Sequence, residues 1–397
     1  MKKILNYLLC LALLVCCFSI VACNDDKGNA SKKELGFTYE LVKGDKSEED
    51  YLKVTGYNVS DEVTELVSRK NFAAEAVQAV SKIEVPSQNV EYKRNGTVVG
   101  TYPVKEIAES AFSGMLFVKE VVIPSNIETI GSACLSGCVN LEKLTVPFVG
   151  NKKEGNVNSK KTLAYLFGSS EVTGTTSTTV KYNSSGTFTV YVPNSLKTVV
   201  LTGSSVGEYA FYGLSGVEEV VLPAEVTEYG AYAFANMTSL YKFAIGSNVT
   251  KISESAFSGC TALVNPKFDD AAALTYIGNS AFSGCALLGS SVDGGSYVAS
   301  ENLTYIGANA FNGCTALEAV DLSKLSGKTV TIRENAFKGL TALKKVVIPT
   351  DVTKITFGNL VFAGCTALEK ANVTNHDKVA DLKLFDFDYA KAEGATE

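Results

Sequence analysis

One dipeptide constrains this chain more than any other feature. Ala-Phe stands at Ala111-Phe112, Ala210-Phe211, Ala233-Phe234, Ala256-Phe257, Ala281-Phe282, Ala310-Phe311 and Ala336-Phe337, with degenerate copies at Ala133-Cys134 and Val361-Phe362. Successive copies lie 22, 77, 23, 23, 25, 29, 26 and 25 residues apart. A unit of that length cannot bury its apolar side alone, so neighbours above and below must complete its core. The expected fold stacks short parallel β-strands, rung on rung, into a right-handed coil with short helical or 3-10 turns between.

Each copy shares a grammar, seen in Ile332 to Pro349. An isoleucine leads into Ala-Phe, a glycine turn follows, then leucine, then the alternation Val346, Ile348 of a strand with one buried face. Pro349 ends the strand, because proline cannot donate to the next ladder bond. The rings Phe112, Phe211, Phe234, Phe257, Phe282, Phe311, Phe337 and Phe362 are expected to form the structural core. One slot closing each turn takes Cys138, Cys260, Cys285, Cys314 and Cys365, but Met115, Leu214, Met237 and Leu340 in other copies. A slot that accepts Met, Leu and Cys is read as buried and apolar, with cysteine as a small hydrophobe. Disulfides between stacked thiols stay open as an alternative, whereas the chain has no C-x-x-C spacing for zinc.

The run Ile277-Gly278-Asn279-Ser280-Ala281-Phe282-Ser283-Gly284-Cys285-Ala286-Leu287-Leu288 resembles the repeat of the BspA-like leucine-rich repeat family. That resemblance covers roughly residues 100–373. Gly36-Phe37-Thr38-Tyr39, Val54-Thr55-Gly56-Tyr57 and Tyr102-Pro103-Val104 resemble the family's leading rung. The resemblance implies a leucine-rich repeat solenoid, exposure at a bacterial surface, and protein binding or adhesion, with ligands that differ between members.

The N-terminus reads as an address. Lys2 and Lys3 precede an apolar run from Ile4 to Ala22, the plan of a secretory signal. Ile20-Val21-Ala22-Cys23 resembles a bacterial lipobox, which implies lipidation of Cys23 and removal of residues 1–22. An uncleaved signal anchor is the alternative, since the apolar run is long enough to span a bilayer. Residues 23–33 then form a polar tether and 34–106 an N-terminal capping region with an insertion, including an Ala-rich helix from Phe72 to Val80. The array runs over 107–373, and 374–397 form a C-terminal cap and tail in which Leu382, Leu384 and Phe385 close the open end. The long interval holds an insertion at about 150–192. Its Ser/Thr-rich stretch reads as loop, with a hairpin around Asn183-Ser184-Ser185-Gly186. Residues 289–300 read as a loosened rung.

Little in the chain suggests catalysis. There is one histidine, His376, in the tail, so a Ser/His or Cys/His pair would need the tail to fold back. No phosphate-binding glycine loop occurs, and adjacent acids such as Asp269-Asp270 read as solvated. The net charge is −6 and no Lys/Arg cluster offsets it, a poor match to nucleic acid. No enzyme activity, cofactor or metal is expected. The membrane would be reached through the lipid anchor alone, and the chain is read as a monomer on the outer membrane or cell surface. What remains is surface. The outward strand positions Glu120, Val122, Lys143, Thr145, Glu219, Val221, Lys242, Lys345, Val347 and Lys370 form a candidate ligand stripe, with an ordinary solvated sheet face as the plain alternative. A protein ligand suits it better than a glycan, which needs an exposed aromatic ring on the stripe or the insertion, such as Tyr182 or Tyr191.

Overall fold

The computed structural model describes residues 21–22, 36–44, 49–59, 81–154, 158–266, 268, 271–290, 295–379 and 383–385. Cys23, the segment from Phe72 to Val80, Asp269, Asp270 and Leu382 lie outside them. Two compact units are present. One comprises Met1–Lys160, Ala164–Ser177 and Thr189–Thr202, and the other Lys161–Leu163, Thr178–Phe188 and Gly203–Glu397.

In the first unit, Gly36–Val42 and Tyr51–Asn58 form an antiparallel hairpin. The hairpin then continues in parallel into Val104–Ile107 and Thr129–Ile130. The leading residues thus seal the first rung with a strand that has already turned back, so no parallel edge is left bare there. A second sheet runs Lys82–Glu84, Glu120–Val122, Lys143–Val146, Thr198–Leu201, all parallel. A third joins Val90–Arg94 antiparallel to Thr97–Tyr102, with Val21–Ala22 parallel on its other side. Cleavage before Cys23 would remove that last strand.

The second unit carries two sets of strands where the sequence reading drew one. The first set, Ser296–Val298, Ala319–Asp321, Lys345–Val347, Val373–Thr374, pairs in parallel. The second set, Glu228–Tyr229, Lys251–Ile252, Tyr276–Ile277, Tyr305–Ile306, Val330–Ile332, Ile355–Phe357, also pairs in parallel. The isoleucine leading into Ala-Phe is the buried residue of four of these strands, as Ile252, Ile277, Ile306 and Ile332. The supposed loosened rung at 289–300 contains the strand Ser296–Val298, whose Tyr297 is buried.

Between the two sets each rung makes a turn, and that turn is not helical. Its amides alternate between two jobs. Ala256, Ser258 and Cys260 donate to Ser253, Ser255 and Phe257 in their own turn, whereas Ser255, Phe257 and Gly259 donate to Asn279, Ala281 and Ser283 of the next rung. A 3-10 run would need all of these donors for itself. Stacking takes half of them, so the turn stays irregular. Short 3-10 segments occur elsewhere, as at Asn158–Lys161 and Leu163–Leu166.

The alternation demands one unusual backbone angle per rung. Tyr209, Tyr232, Ser255, Ser280, Asn309, Asn335 and Leu360, each just before the Ala or Val of its repeat, have φ between 53° and 58°. Left-handed backbone costs an L-residue roughly 1–2 kcal/mol, because Cβ crowds the following carbonyl. Leu360 is exposed and loses little packing if removed. Leu360→Gly is therefore expected to stabilise the chain by about 0.5–1 kcal/mol, read from the urea midpoint. A lower midpoint would count against the strain.

The phenylalanines form a column. Ring centroids lie 5.3 Å apart for Phe211–Phe234, 4.8 Å for Phe234–Phe257, 5.1 Å for Phe257–Phe282 and 5.3 Å for Phe282–Phe311. Phe311–Phe337, Phe337–Phe362 and Phe362–Phe385 continue it at 5.0, 5.3 and 5.1 Å. Phe385 belongs to the tail, and the carbonyls of Lys383 and Leu384 accept from Leu360 and Phe362. The tail therefore imitates one further turn and closes the column.

The cysteine slot is buried and polar at one atom. Sγ of Cys138, Cys260, Cys285, Cys314 and Cys365 donates to the carbonyl of Phe112, Phe234, Phe257, Phe282 and Phe337 at 3.1–3.3 Å. Those carbonyls sit in the preceding rung, so cysteine adds a cross-rung bond that methionine or leucine lacks. Among the described residues the cysteines are thiols. Burial pushes Cys138 up to about 11 and Cys260 up to about 12, and it raises Cys285 and Cys314 too. An unfolded thiol ionises near ~8.5. The thiols' contribution is thus complete below that pH and is lost as pH rises toward the folded values. The slope is about 1.4 kcal/mol per pH unit for each thiol. Urea unfolding is expected to show lower stability at pH 10 than at pH 8; equal stability would mean that the thiols are open to water.

The insertion is more ordered than a Ser/Thr-rich loop. Thr175–Lys181 and Thr187–Pro193 pair as a two-stranded sheet. Asn183 Oδ1 accepts from the amides of Ser185 and Gly186 at its tip. Earlier in the insertion, the carbonyls of Tyr165 and Leu166 accept from Ala133 and Leu135, as a following rung would.

Candidate functional site

The stripe drawn from sequence is continuous in the first unit and broken in the second. In the first, Glu120 and Lys143 lie side by side in register, as do Val122 and Thr145. Lys143 Nζ is 3.3 Å from Glu120, and Lys119 is 2.7 Å from Glu142 in the neighbouring column. Charge alternates rung by rung and cancels there.

In the second unit Lys242 meets Glu219 through a single β-bridge and a 3.9 Å ion pair, with no strand through Lys242. The next rung explains this. Ile245 donates to Pro266, and proline has no amide with which to return a bond to that segment. Val221 is 43% exposed beside them. Lys345 and Val347 do lie on a strand, paired with Ala319 and Asp321. Lys370 does not; it opens a 3-10 turn, Lys370–Asn372, and is half-buried. The strand there starts at Val373, opposite Val346, because that turn uses up two extra residues.

The second strand set presents a different column, which the sequence reading missed. Glu228, Lys251, Tyr276, Tyr305, Thr331 and Thr356 align in register, one per rung, with their strand neighbours Tyr229, Ile252, Ile277, Ile306 and Ile332 buried beneath. A two-residue strand is too short to show alternation, so periodicity could not reveal it. The available signal was Tyr-Ile-Gly, at Tyr276-Ile277-Gly278 and again at Tyr305-Ile306-Gly307. The rings of Tyr276 and Tyr305 stack at 4.7 Å and 5°. Lys251 Nζ lies 5.9 Å from the Tyr276 centroid and 3.8 Å from Glu228.

Beside this column lies an open depression of about 630 Å³. Glu208, Glu228, Lys251, Glu254 and Tyr276 line it, and Gly207 and Gly230 leave backbone exposed within it. Gly230 is required there for space, since a Cβ would stand 2.4 Å from the carbonyl carbon of Gly207. Glu208 is bonded to Lys161 at 2.9 Å, and Glu254 accepts from the Tyr232 hydroxyl at 3.1 Å. His376 lies in a 3-10 turn, His376–Val379. Among the described residues no group of three or more His, Cys, Asp and Glu side chains could hold a metal ion. No helix among them is long and apolar enough to cross a membrane.

Parallel rungs, a stacked phenylalanine column and one left-handed turn residue per rung define a repeat protein without a closed barrel. The chain belongs to the family with the BspA type leucine rich repeat region, whose profile matches residues 96–200, 184–295 and 291–386 in six copies. Among solved structures it is similar to a leucine-rich repeat protein from Bacteroides ovatus, at 20% identity over 86% of this chain and 81% of that one, TM-score 0.42. A leucine rich cell surface protein from Faecalibacterium prausnitzii shows 19% identity over 90% and 99%, TM-score 0.29. The pneumococcal vaccine antigen PcpA shows 17% over 84% and 78%, TM-score 0.36. No curated protein matches the sequence.

Proposed function

We propose that this is a lipid-anchored protein of the bacterial cell envelope that presents its repeat surface for protein binding or adhesion and performs no catalysis. The anchor is Cys23, behind a leader of residues 1–22. The carrying observation is the column from Glu228 to Thr356, which sets one outward side chain per rung on a rigid sheet. Such a row offers many weak contacts at fixed spacing, which suits another polypeptide.

A glycan is the alternative ligand; Tyr241, 42% exposed, offers it a ring, whereas the paired tyrosines of the sheet and Tyr182 do not favour it. A sugar stacks on an open aromatic face. Tyr276 and Tyr305 cover each other, as do Tyr209 and Tyr232 at 5.0 Å and 3°. In the insertion, Tyr182 packs against Gly186, where a Cβ would fall 2.3 Å from its Cζ.

Protease treatment of intact cells tests the reading, with Cys23→Ala as control. Cleavage of the wild-type chain on whole cells, and loss of the variant from the membrane fraction, is the expected result. Protection until the envelope is broken would overturn the surface role.

A further inference from the structure

We propose that the depression beside Glu228, Lys251 and Tyr276 is a docking groove for an extended, basic polypeptide segment of a partner protein. The inference rests on the protein-binding reading and gives it a site and a ligand chemistry.

Shape comes first. The depression is open rather than enclosed and spans several rungs, so it suits a linear segment better than a compact small molecule. Gly207 and Gly230 put bare backbone in its lining, which lets an incoming main chain approach closely.

Charge selects the occupant. Three carboxylates, Glu208, Glu228 and Glu254, line the depression with one ammonium, Lys251; Lys161, outside the lining, already holds Glu208 at 2.9 Å, so Glu228 and Glu254 are the acids left to a ligand. In the first unit's stripe the cross-rung lysine–glutamate pairs are closer, at 2.7 and 3.3 Å. Lys251 stands 3.8 Å from Glu228, near the limit of an ion pair, and Glu254 is met by a neutral hydroxyl. A cation entering here gains carboxylate partners without breaking a tight internal pair at either residue. Tyr276 adds only its ring edge to the wall, since Tyr305 stacks on the ring and Lys251 lies over it. Single exposed ion pairs contribute little, so the ligand needs several basic side chains along its length.

The test uses the purified chain and fluorescein-labelled peptides of alternating lysine and threonine, glutamate and threonine, or serine and threonine. The lysine peptide is expected to give saturable anisotropy that weakens with added salt, and the other two are not. Glu228→Lys combined with Glu254→Lys should weaken binding about tenfold or more, at an unchanged melting temperature. Glu120→Lys, on the other sheet, should leave binding as it was. No saturable binding of the lysine peptide, binding unaffected by the double reversal, or binding of a linear glucose oligosaccharide in its place would each overturn the groove. The surface reading fails separately, in the shaving experiment, which does not depend on these residues.

Discussion

Phe257→Ala is expected to destabilise the chain by about 3–5 kcal/mol, measured as the loss in urea unfolding free energy. Phe257 is fully buried and stacked between Phe234 and Phe282 at 4.8 and 5.1 Å. Phe243 and Tyr229 meet its ring at 4.9 and 5.7 Å in edge-on geometry. The surroundings cannot easily close over the gap. The Phe257 amide is held by Ala281, while its carbonyl accepts from Cys260 N and Cys285 Sγ. A backbone fixed on both sides leaves a cavity, and cavities carry a cost beyond lost transfer energy. A loss of only about 1 kcal/mol would show that the rungs above and below slide together.

Gly307→Ala is expected to be the second large effect, about 3 kcal/mol or more of destabilisation. A Cβ at Gly307 would stand 2.4 Å from the Asn279 amide nitrogen and 2.5 Å from the Gly278 carbonyl carbon. Both obstacles are backbone, so the rungs themselves must separate. The sign is the informative part. At an ordinary site without strain, Gly→Ala stabilises by about 0.4–1 kcal/mol through the unfolded chain. A neutral or positive outcome in the same urea experiment would mean that the rungs are not so closely apposed. Arg333 holds the equivalent place in its own rung, donating to Ile306 as Gly307 donates to Ile277. The closeness therefore belongs to particular rung pairs and not to the whole column.

Burial made much of this fold legible from residues alone. Ala-Phe, the leucine that follows and the cysteine slot recur because each faces the same enclosed environment in every rung, and an enclosed environment restricts residue type. The positions that escaped are those where conformation is imposed by neighbours. Tyr209, Ser255, Asn309 and Leu360 share a left-handed backbone and little side-chain chemistry, since the hydrogen bonds of the stack set that angle. Asn309 and Asn335 alone hint at it, as asparagine tolerates the region. The stripe was overdrawn at Lys242 and Lys370 for a related reason. Alternation within one rung says nothing about whether the next rung can pair with it. Pro266 in one case and the two residues consumed by Lys370–Asn372 in the other decide that question elsewhere in the chain. Tyr276 and Tyr305 were missed because a two-residue strand has no period to detect.

The shared amides of the turns have an electrical consequence. In the second unit the peptide groups ending at Tyr232, Phe234 and Asn236 send their N–H toward the next rung, and so do those at Ser255, Phe257 and Gly259, at Ser280, Phe282 and Gly284, and at Asn335, Phe337 and Gly339. Peptide dipoles in a sheet largely cancel, whereas these all point one way. The turn edge should then behave like a helix laid along the array, with its positive pole at the C-terminal end. Leu360 and Phe362 carry donors at the end of that row, and the carbonyls of Lys383 and Leu384 accept from them.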